Sequence, residues 1–151
     1  MHSRSHCSGT RGAAPAHPVL ASLTWRDFER LIGEEFRRRG FIVTGFGGGI
    51  PGGSGRSVDL ALMRKGERFL VECKQWRKQQ VDVTVVRDLG RIIRAAGASG
   101  GYLFTGGEFT CEARELARCT RIELIDGALL RVDWLRSARS PESALAPLAP
   151  A

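Results

Sequence analysis

The chain has 151 residues, 42% hydrophobic and 26% charged, an ordinary globular mixture with enough apolar material for one domain with a real core. No stretch approaches the roughly 18 consecutive apolar residues that a membrane-spanning helix needs, and the start lacks the basic-then-apolar layout of a secretory signal, so a cytoplasmic protein with no membrane partner is expected. Lys plus Arg number 23 against 16 Asp plus Glu, a net +7 that favours a polyanion such as nucleic acid, while four cysteines without a CxxC pair argue against a disulfide scaffold or a zinc site.

Residues 1–21, rich in Ser, Ala, Gly, Pro and His without an apolar period, read as a flexible leader; His2, His6 and His17 all fall there. Thr24 is placed to cap a helix whose Trp25, Phe28, Leu31, Ile32 and Phe36 recur at three- and four-residue steps, with Gly40 as its stop. "FIVTGF" (41–46) predicts a strand, and "GGGIPGGSG" after it predicts a mobile loop. Then comes "SVDLALMRKGERFLVECKQW" (57–76), two apolar runs about a Lys-Gly turn.

"VDVTVVRDLGRIIRAAGA" sets Val86, Leu89, Ile93 and Ala96 on one helical face and Arg87, Arg91 and Arg94 on another. "GYLFT" (101–105) is a short buried-type strand, Thr110 can cap the helix "CEARELAR", "IELI" is a further strand, and "DGALLRVDWLRSA" closes as a helix. The predicted order is αβββαβαβα, an α/β sandwich around a mixed sheet. One domain over 22–137 is expected, followed by a flexible tail over 138–151.

The hairpin carries charges that a core hairpin should not. With Lys65 and Gly66 as the turn, Arg64 pairs with Glu67, partner numbers sum to 131, and Asp59 falls opposite Glu72. Opposed residues share a face, and Lys74 lies two residues beyond Glu72 on it. Opposed like charges destabilise unless a cation sits between them, and a pair of carboxylates with open positions suits Mg²⁺, which keeps waters that a phosphate can replace. Lys74 would then orient or deprotonate a metal-bound water and offset charge on a phosphate. The same spacing also describes an ordinary solvated strand face. Arg64, Lys65, Arg68, Lys74, Arg77 and Lys78 are expected to crowd around the carboxylates.

The segments "LTWRDFERLIGEEFRRRGF", "SVDLALMRKGERFLVECKQW", "VRDL", "FTGGEFTCEARELA" and "IELIDGALL" resemble, in order and spacing, the catalytic domain of Mrr-like restriction endonucleases of the PD-(D/E)xK superfamily, over about residues 22–136. The resemblance implies a restriction-endonuclease-like sandwich and a Mg²⁺-dependent endonuclease that hydrolyses phosphodiester bonds of double-stranded DNA, methylated or not. It carries the catalytic aspartate onto Asp59, the glutamate or glutamine onto Glu72, the lysine onto Lys74 and a first-helix glutamate onto Glu29, with Asp59 and Glu72 as metal ligands. Gln75, Arg77, Lys78, Arg87, Arg91 and Arg94 are candidate DNA contacts, and Trp76 is either a contact or a packing residue. A double-strand cut generally needs two active sites, which raises a homodimer.

Two features depart from the family. Gly55, Arg56 and Ser57 replace an Asp-Gly-Gly run that commonly precedes the Val-Asp of the strand, and Glu72 stands where many relatives have glutamine. No separate DNA-recognition domain is expected within these 151 residues. Two rival readings keep the fold: a nuclease-fold module that binds DNA without cutting, and a repair or junction-resolving nuclease.

Overall fold

The computed structural model describes residues 23–49, 57–74, 80–130 and 134. The expected leader and tail, the three histidines, residues 50–56 and residues 75–79 lie outside this set. Helix α1 (Trp25–Arg38) begins with a capping box in which the Thr24 side chain accepts from Asp27 N and the Asp27 carboxylate reaches back to Thr24. It ends at Gly40, whose φ of +90° is the left-handed conformation that a glycine adopts without cost.

Strands β1 (Ile42–Gly49), β2 (Ser57–Arg64) and β3 (Glu67–Lys74) follow as an antiparallel meander. After the short β4 (Gln80–Val81) come α2 (Val83–Ala95), β5 (Gly100–Thr105), the short β6 (Glu108–Phe109), α3 (Cys111–Cys119), β7 (Ile122–Ile125) and the single turn α4 (Gly127–Leu129). The main sheet has the order β1-β2-β3-β5-β7, with β3, β5 and β7 parallel. β4 and β6 form a separate parallel pair.

The mixed α/β sandwich is the one predicted, with two additions. β4 and β6 are two residues each, too short to leave a periodic signal in sequence, and they exist because tertiary packing brings them side by side. The closing helix is described through α4 and at Leu130 and Trp134.

Apolar residues on both faces of the sheet make two cores. Phe28, Ile32 and Phe36 of α1 pack with Leu60, Leu62, Val71, Phe104 and Trp134 on one face. On the other, Val86 and Leu89 of α2 and Ala113 and Ala117 of α3 pack with Leu70, Leu103 and Ile122. The predicted helical faces are thus the packed ones, and Phe36 anchors its side through edge-on contacts with Tyr102 at 4.9 Å and Trp134 at 4.8 Å. Burial on both faces explains why β3 and β5 read as near-continuous apolar runs, which makes Glu72, Lys74 and Thr105 conspicuous among them.

Candidate active site

The hairpin turn is the two-residue one expected: Lys65 and Gly66 have φ of +51° and +78°, as a type I′ turn requires. From it the ladder runs from Arg64↔Glu67 to Leu60↔Val71 in the predicted register, and there the pairing ends. β2 continues on β1 to Gly49↔Ser57, whereas β3 continues on β5 to Lys74↔Thr105. The sheet therefore splits between β2 and β3 at Asp59. Val58 and Leu60, two residues apart, belong to opposite cores, so β2 turns over at Asp59, where an even strand would keep both on one face.

This corrects the expectation of a directly opposed Asp59–Glu72 ladder pair. In place of a strand partner, Cys73 N–H donates to Asp59 Oδ2 at 2.6 Å. The physical reason is that Val58 and Leu60 pack into opposite cores, and the resulting splay also separates the like charges and gives Asp59 a donor that a ladder position would deny it. The split still leaves Asp59 and Glu72 close enough for their charges to interact. Sequence missed the Cys73 amide; the sign available was an Asp facing a Glu in an apolar hairpin.

Lys74 Nζ lies 2.8 Å from Glu72 Oε1, which confirms that the two side chains share a face. The other oxygen, Glu72 Oε2, is buried with no hydrogen-bond partner. Glu29 on α1 lies near enough for its charge to act on the Asp59 carboxyl, so the first-helix glutamate is close to the same cluster. Burial, followed by the Glu29 and Glu72 charges, pushes the Asp59 carboxyl up from 3.8 to about 6 despite the Cys73 N–H bond, which acts the other way. The Cys73 thiol is raised well above its ordinary value of 9.0 by burial and then by the charges of Asp59, Glu29 and Glu72. The site is thus a negative, partly desolvated cluster, in which the Lys74 ammonium pairs with Glu72.

Of the expected DNA contacts, Arg87, Arg91 and Arg94 form an exposed stripe on α2, with Arg91 3.8 Å from Asp88. Gln75, Arg77 and Lys78, like Trp76, lie outside the described residues, as do Gly55 and Arg56 of the altered loop. The expected crowding of basic residues around the carboxylates fails for Arg64, Lys65 and Arg68. They sit toward the hairpin tip, where Arg64 is five strand residues from Asp59 and Arg68 four from Glu72, separations of about 17 and 14 Å. Arg64 is engaged there with the Phe41 ring at 4.3 Å.

Among the described residues no group of three or more His, Cys, Asp or Glu side chains is gathered as a metal cage. The residues nonetheless fit a hard divalent cation held by two carboxylates. Glu72 Oε2 is a buried oxygen without a partner, and Asp59 is a carboxylate whose ionisation its neighbours oppose; an ion between them would relieve both. Mg²⁺ needs no more than one or two carboxylates when water and phosphate complete its shell.

The comparisons with known proteins bear on the family and the fold. A Sinorhizobium fredii protein called uncharacterized protein y4cE is 31% identical over 103 residues, which cover 68% of this chain and 26% of that protein, so the chain spans about a quarter of this relative. A repair endonuclease from Pyrococcus abyssi superposes with a TM-score of 0.54 at 19% identity, covering 69% of this chain and 46% of that one. The EndoMS–dsDNA complex gives 0.52 at 18% identity over 67% of this chain and 43% of that one. At such identities the likeness establishes a shared fold. The family model of the restriction endonuclease domain Mrr_cat matches residues 20–132. Most of the chain, including every residue of the carboxylate–lysine cluster, falls inside that match, and the protein belongs to the Mrr_cat restriction endonuclease family.

Proposed function

We propose that this protein is a Mg²⁺-dependent endonuclease that hydrolyses phosphodiester bonds in double-stranded DNA, acting in restriction. The observation that carries the reading is the convergence of Asp59, Glu72, Lys74 and Glu29 where the sheet splits, with Glu72 Oε2 buried and unpartnered. The cluster stands at the carboxyl end of β3, the end of an open α/β sheet where ligands bind.

Asp59 and Glu72 would hold the ion, which when bound polarises the phosphate and makes an attached water more acidic. Asp59 is kept in place by Cys73 N–H, so its free oxygen is directed without a competing strand partner. Lys74 neutralises Glu72 in the resting protein; with substrate present its ammonium offsets the charge that builds on the phosphate. Glu29, whose charge acts on Asp59 from α1, would support the site by accepting a proton from the attacking water. The +7 net charge supplies attraction to the DNA backbone, and the exposed Arg87, Arg91 and Arg94 supply phosphate contacts that position a duplex without reading its sequence.

The complete Asp59, Glu72 and Lys74 set favours this reading over a module that binds without cutting. The test is incubation of methylated and unmethylated plasmid with the protein, with Mg²⁺ or with chelator. Mg²⁺-dependent cleavage is expected, reduced about a hundredfold or more in Asp59→Ala and in Lys74→Ala. Cleavage that persists in both variants would refute the assignment, and salt-sensitive binding of every DNA form without any cleavage would support the binding module.

A further inference from the structure

Among the described residues the buried polar side chains are Glu35 and Thr105. Glu35 is accounted for by ion pairs with Arg38 and Arg39, both at 3.1 Å. Thr105 is 1% exposed at the end of an otherwise apolar strand, and burying a hydroxyl costs free energy unless it is hydrogen-bonded. Its Oγ1 accepts from Gly107 N at 3.2 Å, a bond that ties the side chain to the turn leaving β5.

The place of Thr105 in the sheet gives this hydroxyl a second consequence. Thr105 is the register partner of Lys74, and Leu103 is that of Glu72, so Thr105 and Lys74 stand side by side on the face that carries Glu72. Neighbouring strands lie about 4.8 Å apart, which sets the Thr105 side chain against the stem of the lysine. On its other flank Lys74 has no strand partner among the described residues, because β2 has left β3 at Asp59. The lysine must fold back along its own strand to reach Glu72 Oε1 at 2.8 Å, and Thr105 is its lateral neighbour within the sheet.

We propose that Thr105 is a positioning residue for Lys74: its hydroxyl, anchored on Gly107 N–H, fixes the side-chain rotamer, and the fixed side chain confines the lysine stem so that the ammonium stays over Glu72. β-Branching already restricts χ1 to few wells, and the hydroxyl bond selects one of them. Valine has the same shape without the acceptor and strands Gly107 N–H; serine keeps the acceptor. The inference rests on the reading of Lys74 as the group that meets the phosphate, but its test separates from that reading.

The experiment is amidination of the full-length protein with ethyl acetimidate, with labelling at Lys74 and at the exposed hairpin Lys65 quantified by mass spectrometry. Thr105→Val and Thr105→Ala are expected to raise the Lys74-to-Lys65 labelling ratio about threefold or more, while Thr105→Ser stays near wild type. Single-turnover cleavage should slow about tenfold in the Val and Ala variants with KM within about twofold, because a displaced ammonium affects the transition state more than binding. An unchanged ratio in Val and Ala, a rise in Ala alone, or a rise in Ser equal to that in Val would overturn the proposal. So would loss of folding in both hydroxyl-free variants with Ser native, since the role would then be structural. If the wild type cleaves no DNA, the labelling ratio still decides the role of Thr105 while the nuclease reading falls.

Discussion

Asp59 carries its charge where burial, Glu29 and Glu72 oppose it and the Cys73 N–H favours it, so its carboxyl titrates at about 6 rather than 3.8. A folded-state value above the unfolded one means that the folded chain binds the proton more tightly. The resulting stability is fully present below pH 3.8 and is lost as pH rises through about 6. In chelator, the protein should therefore be less stable at pH 8 than at pH 5 by about 1 kcal/mol or less, discounted for the partial exposure of the group. Denaturant unfolding at the two pH values checks this. Asp59→Asn should remove most of that difference and raise stability at pH 8. Mg²⁺ at pH 8 should stabilise the wild type and leave Asp59→Asn nearly unmoved, and equal responses of the two would contradict the role of Asp59 as a ligand.

At the scale of elements, α2 divides its labour cleanly. Val86 and Leu89 are buried against the sheet and α3, and Arg87, Arg91 and Arg94 face water. α2 starts just after β4 and runs back toward the start of β5, so Arg87 lies nearest the carboxyl ends of the strands and Arg94 about 10 Å farther along. Contacts to phosphate should follow that order. Replacing each arginine with alanine and measuring DNA affinity between 50 and 200 mM salt should lower the slope of log affinity against log salt by about 1 for Arg87 and by less for Arg94. Three equal, negligible changes would leave the stripe as a solvated face. The terminal turn α4 shows the opposite constraint. Asp126 caps it through Leu129 N at 2.9 Å and pairs with Arg114 at 2.9 Å, while Gly127 packs directly on the Gly106 carbonyl. A Cβ there meets backbone on both the oxygen and the carbon, so Gly127→Ala should cost about 2 kcal/mol in chemical denaturation. A neutral result would mean that the turn after Thr105 yields easily.

Over the whole molecule, one long axis of the sheet separates two chemistries. The hairpin tip carries Arg64, Lys65 and Arg68, and the far end of the same strands carries Asp59, Glu72 and Lys74. Chain order, the helix caps at Thr24 and Thr110, the stop at Gly40, the turn at Lys65–Gly66 and the face-sharing of Glu72 with Lys74 follow from local rules and were legible in the sequence. Periodicity and turn chemistry act over a few residues, and they leave a trace in the order of side chains. The departure of β2 from β3 at Asp59, the Cys73 amide that replaces the lost partner, the β4–β6 pair and the register placement of Thr105 beside Lys74 were settled by tertiary packing. Each joins residues that local propensity does not connect. By itself the sequence singled out Asp59, Glu72, Lys74 and Glu29 as candidates for the site and fixed that Glu72 and Lys74 share a strand face. Where the sheet must open to receive them depends on two cores competing for Val58 and Leu60, a balance that exists once both helical layers are in place.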